Sequence, residues 1–105
     1  VEVCRSVAVA EAVVSKTGAV YLLFGRSGCG VCVSVRESVG RIAEACGVES
    51  GCYADVEDVP ALCGRLMVFS VPTLVVFRGG AEVGRVSGFF HGDAVRRLFE
   101  AATDG

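Results

Sequence analysis

At 105 residues, with 52% hydrophobic residues and a formal net charge of −2, the chain has the length of one domain (1–105) and enough apolar content for a core without disulfide staples or structural metal. The slightly acidic balance supplies no field for nucleic acid, and six Phe and two Tyr with no Trp offer little for bases to stack on. No apolar run nears the roughly 20 residues that span a bilayer, and Val1-Glu2-Val3-Cys4-Arg5 lacks the basic and apolar regions of a secretory signal, so neither a membrane role nor export is expected and a cytoplasmic location is.

Ser6 to Lys16 carries Val7, Val9, Ala10, Val13 and Val14 with Gly18 beyond, the pattern of a first helix that stops at the glycine. Its β-branched content makes it a weak helix former, so tertiary packing must hold it. Val20 to Phe24 is apolar without alternation, as in a strand covered on both faces by helices. After Cys32, the positions Val35, Val39, Ile42, Ala43 and Cys46 recur at helical spacing with Arg36, Glu37, Arg41 and Glu44 between them, and Gly47 follows as a stop.

Gly51 to Val56 reads as a second strand, and Pro60 to Leu66 as a short helix with the proline in its first turn. Thr73 to Phe77 is apolar again, Gly79-Gly80 marks a turn, and Glu82 to Gly88 alternates around Val83 and Val86, which predicts a closing antiparallel hairpin. Asp93 to Ala102, opened by His91, carries the apolar stripe Val95, Leu98 and Phe99 of a last helix. Alternating β and α elements imply a parallel core.

The junction of the first strand and the second helix carries the chemistry. Gly25-Arg26-Ser27-Gly28-Cys29-Gly30-Val31-Cys32 brings a Cys-x-x-Cys pair to the start of a helix. Residues three apart share a helix face with Cβ atoms about 5–6 Å apart, near enough for the sulfurs to bond after small adjustments. Unpaired N–H groups and the positive end of the helix dipole favour thiolate at the first cysteine. Cys29 is therefore read as the attacking sulfur and Cys32 as the resolving one. Arg26 and Arg36 are both candidates for lowering the thiolate pKa, with a solvated charge the equal reading for Arg36.

The other cysteines are expected to be mostly reduced and buried, where Cys behaves as a small hydrophobe. Cys46 and Cys52 flank residues 47–51 and offer a second disulfide, with free thiols the favoured reading. Cys63 packs beside Leu62 and Leu66, an exposed regulatory thiol being its alternative, and Cys4 is expected to be mobile. A four-coordinate zinc would need two further closely spaced ligands, but Cys46, Cys52 and Cys63 are singly placed and His91 is the one histidine of the sequence, so no metal is expected.

Val71-Pro72-Thr73 places a proline at a strand entrance, where its missing N–H is tolerated. The Cys-x-x-Cys at a strand–helix junction, followed by Val-Pro-Thr and a Gly-Gly hairpin, resembles the thioredoxin family. The resemblance extends to Tyr21–Phe24 entering the site, Asp55-Val56-Glu57 ending the next strand, Phe77 in the hairpin and Gly88 before the last helix. It implies an α/β thioredoxin fold, a central mixed sheet flanked by helices on both faces. It also implies a cis proline against the cysteine pair, with Val71, Pro72 and Thr73 aligning an extended substrate peptide.

Departures from the family pattern bear on function. Thioredoxins usually read Trp-Cys-Gly-Pro-Cys; this chain reads Gly28-Cys29-Gly30-Val31-Cys32, which removes an aromatic docking platform and alters the balance between redox forms. Leu23 stands where the family buries an aspartate that accepts the resolving thiol's proton, and Tyr53 where a lysine often accompanies it. The expectation is a thiol–disulfide oxidoreductase acting on protein disulfides, a monomer needing no cofactor beyond the Cys29–Cys32 couple, with electrons from an upstream reductase or dithiol donor. The alternatives are a protein-binding module of the same fold, and a redox sensor or metallochaperone-like thiol site.

Overall fold

The structure, a computed structural model, describes residues 2–88 and 90–103. Its elements in chain order are β1 (Glu2–Cys4), α1 (Val7–Val14), β2 (Ala19–Gly25), α2 (Gly30–Ala45), β3 (Ser50–Asp55), α3 (Pro60–Leu66), β4 (Thr73–Arg78), β5 (Ala81–Ser87) and α4 (Gly92–Thr103). The strands form one sheet in the order β1-β3-β2-β4-β5. β1, β3 and β2 run parallel, while β4 and β5 are antiparallel to their neighbours. The crossover β2–α2–β3 supplies the parallel pairing, because parallel strands cannot be joined by a tight turn.

The unbroken apolar run of β2 follows from its central position. Val20, Leu22 and Phe24 point to one face and meet Ala10 and Val13 of α1 and Leu62 and Cys63 of α3. Tyr21 and Leu23 point to the other and meet Val39 and Ala43 of α2 and Val95 and Phe99 of α4. Phe24 and Phe99 are fully buried, one in each cluster, and removing such a side chain from water contributes roughly 1.5–3 kcal/mol. Tyr21 and Phe99 pack with ring centroids 5.4 Å apart. Gly51 makes room for the Tyr21 ring, which a Cβ there would overlap.

The sequence reading missed β1. Cys4, expected to be mobile, is fully buried in this strand, and it is bonded to Cys52, with Cα atoms 5.8 Å apart. The parallel register pairs Glu2 with Cys52 and Cys4 with Ala54, which sets the two cysteines diagonally across adjacent strands on one face. Cys52 is thus neither a free thiol nor the partner of Cys46. Cys46 and Cys63 are free, the latter buried beside Leu62. α1 is also shorter than predicted: Ser6 caps it by accepting the Val9 N–H at 3.3 Å, and Ser15 ends it. No helix among the described residues is long and apolar enough to cross a membrane.

Candidate functional site

The site is assembled where β2 leaves the sheet. Arg26, Ser27 and Gly28 form an exposed loop, Gly28 turning at φ 83°, and Gly30 opens α2. Cys29 is the N-cap, in extended conformation, and its Sγ accepts the Cys32 N–H at 3.3 Å. A cysteine thus fills the place usually taken by Ser, Asp or Asn, with sulfur receiving one of the helix's unpaired donors. The first turn of α2 contains no acidic side chain that would compete for that positive end.

The two sulfurs are set apart electrostatically. Cys29 is half-buried and free, and its thiol pKa is lowered, first by a hydrogen bond with the Cys32 thiol, then by the Cys32 and Val31 N–H groups, with Arg26 assisting. Cys32 is 1% exposed. Burial pushes its pKa up, and its hydrogen bond to Cys29 pushes the same way. The outer sulfur is the readier thiolate and the inner one holds the proton, the asymmetry that an attacking and a resolving thiol need. Arg36 contributes differently from the expectation: its guanidinium lies 4.5 Å from the centroid of the Tyr53 ring.

Sequence reasoning assigned no role to Asp55, which closes β3 opposite Gly25. Its Oδ2 accepts the Ser27 N–H at 3.1 Å and the Ser27 hydroxyl at 2.9 Å, while Oδ1 accepts the Glu57 N–H at 2.9 Å. The Val56 N–H reaches the Gly25 carbonyl at 2.9 Å. These bonds tie the loop before Cys29 to the next strand and hold the Asp55 carboxyl below the usual carboxylate range, the Glu57 N–H being the largest cause. An Asp that bonds two residues onward is a turn signal visible in sequence; its hold on Ser27 is not.

The third part comes from β4. Thr73 lies opposite Phe24 in the register with β2, so Val71 and Pro72 precede their strand at the end of the sheet from which the cysteine loop departs. The Val71–Pro72 peptide is cis. Pro72 is buried, its carbonyl accepts the Gly88 N–H at 2.9 Å, and the Thr73 hydroxyl donates to the Ser70 carbonyl at 2.7 Å. Val31, at 43% exposure, and Phe69, at 80%, are apolar side chains left in water. Leu23 and Tyr53 stand directly opposite each other on β2 and β3. Among the described residues no group of three or more metal-ligating side chains converges.

Comparison with known proteins agrees with this geometry. The chain is 38% identical over 83 residues to a thioredoxin of Chlamydia caviae, a match spanning 78% of this chain and 80% of that protein. It is 33% identical over 60 residues to thioredoxin-2 of Saccharomyces cerevisiae, spanning 57% and 58% of the two chains. No protein-family model matches it. Among solved structures, a single-site mutant of a thioredoxin from Halobacterium salinarum superposes with a TM-score of 0.80 at 32% identity, covering 90% of this chain and 82% of that one. Fasciola hepatica thioredoxin shares the fold at a TM-score of 0.85 and 22% identity, over 98% and 100% of the two chains. Likeness in sequence and in fold places the chain in the thioredoxin family, and it is a protein-disulfide oxidoreductase.

Proposed function

We propose that the chain exchanges its Cys29–Cys32 dithiol with disulfides in other proteins. The observation that carries this reading is the opposed tuning of the two sulfurs at the mouth of α2, thiolate favoured outside and thiol inside. Cys29 thiolate attacks one sulfur of the substrate disulfide; a Cys29–substrate bond forms, the substrate S–S bond breaks, and the departing sulfur takes a proton. Cys32 then loses its proton and attacks Cys29. The intramolecular disulfide forms, the second substrate sulfur leaves with the electron pair, and two electrons have passed to the substrate. An upstream reductase or dithiol donor returns them, and no other cofactor takes part.

Val71, Pro72 and Thr73 align the substrate. Pro72 has no N–H and its carbonyl is taken by Gly88, so an incoming extended peptide would pair with the backbone of Val71. Cys32→Ser is expected to hold partners as mixed disulfides on Cys29, while the wild type reduces insulin disulfides; wild-type protein that does neither overturns the reading. Leu23 favours a second reading, a binding module whose dithiol turns over little. A redox titration against glutathione buffers and a pH titration of the thiols separate the two, because an unused pair would show no defined couple and would titrate near the ordinary thiol value of about 8.5.

A further inference from the structure

The resolving step requires Cys32 to give up a proton it holds tightly; the backbone donor at its sulfur is the N–H of Arg26, the residue after Gly25, and Tyr53 faces the apolar Leu23 across β3 and β2. Three features bind the phenol to the site. A Cβ at Gly25 would run into the Tyr53 hydroxyl, so the ring reaches across the last residue of β2, where the cysteine loop begins. Arg36, one turn beyond Cys32 on α2, covers the ring at 4.5 Å. The ring also borders the same open hollow as Cys29, Gly30 and Asp55.

We propose that Tyr53 donates a hydrogen bond to the Cys32 sulfur as that thiol loses its proton, steadying the resolving thiolate without a buried acid. The inference rests on reading Cys32 as the resolving thiol. Burial raises the phenol pKa, with the nearby Cys32 and Asp55 charges acting the same way, so at neutral pH the group offers an O–H. In the step the Cys32 proton goes to water, the Cys32 electron pair makes the bond to Cys29, and the substrate sulfur departs as thiolate. Tyr53 keeps its own proton throughout. The charged or titratable groups acting on this sulfur are Cys29 and Arg26 from the loop, while Arg36 from α2 and Asp55 at the end of β3 act on the phenol.

The test is a single turnover with Ellman's reagent in a Cys46→Ala, Cys63→Ala background, where the first thionitrobenzoate released reports attack by Cys29 and the second reports resolution by Cys32. Tyr53→Phe keeps the ring under Arg36 and removes the hydroxyl alone. It is expected to leave the first release within about twofold, to slow the second about tenfold at pH 7, the worth of one hydrogen bond to a charged group, and to move the pH midpoint of the second upward. Gly25→Ala, which displaces the phenol, should reproduce the slowing. An unchanged second release and pH midpoint in Tyr53→Phe overturns the inference. Absence of both releases in the parent protein overturns the exchange reading, and this inference with it.

Discussion

Two pairs of cysteines lie at opposite extremes of reactivity within one small chain. Cys29 and Cys32 are three residues apart, at a helix start, with one sulfur reaching solvent. Cys4 and Cys52 are 48 residues apart, bonded and fully buried between two strands and the α1–α3 face. The difference lies in surroundings: backbone donors and an open side make the first pair a reagent, and a dry apolar shell makes the second a crosslink.

The sharpest way to break this contrast is substitution. Cys29→Ser should reduce insulin turnover to the uncatalysed background, whereas Cys4→Ser with Cys52→Ser should leave it near wild type; comparable losses from both would dissolve the distinction. Stability should respond in the opposite sense. Opening the Cys4–Cys52 bond frees a loop whose ends are 48 residues apart, for which chain entropy predicts a loss of up to about 4 kcal/mol. Urea unfolding of Cys4→Ala, Cys52→Ala protein measures it, and an unaltered midpoint would mean that the bond constrains little.

Smaller effects refine the account of the reactive pair. Asp55→Asn should cost on the order of 1 kcal/mol, as when a side chain that accepts backbone N–H groups is lost, and should broaden the resonances of the loop at Ser27. Because the folded Asp55 pKa is depressed, its contribution is fully present above the unfolded value of about 3.9 and is lost as pH falls through the folded one. The Ser27 amide shift, followed in acid, should report that titration. In alkylation with iodoacetamide, Cys29 should react below the ordinary thiol range, and Cys32 and Cys63, both raised by burial, only at more alkaline pH. The smallest change is Arg26→Gln, which should move the Cys29 titration slightly upward; a downward move would contradict the charge effect.

What could be read in the sequence was whatever is written locally. β2 announced itself through uninterrupted apolar residues, α2 through spaced ones, and the Cys29–Cys32 pair through its position between them. β1 was hidden because three residues show no period, and Cys4–Cys52 because nothing in either neighbourhood names the other. Leu23 and Tyr53 were each legible as departures from the family pattern. That they face one another across β2 and β3, with Gly25 vacating the space the phenol enters, depends on strand register, which comes from tertiary packing.

The edges of the sheet carry a consequence of their own. On one side the edge strand is β1. At the far side β5 is offset from β4 by an irregularity at Val76/Phe77 and carries a Glu82–Arg85 ion pair at 2.7 Å, and short strands, kinks and charges are the features that discourage lateral growth. Under the proposed exchange with other proteins, the β5 rim is ill-suited to recruiting an extended backbone as an extra strand.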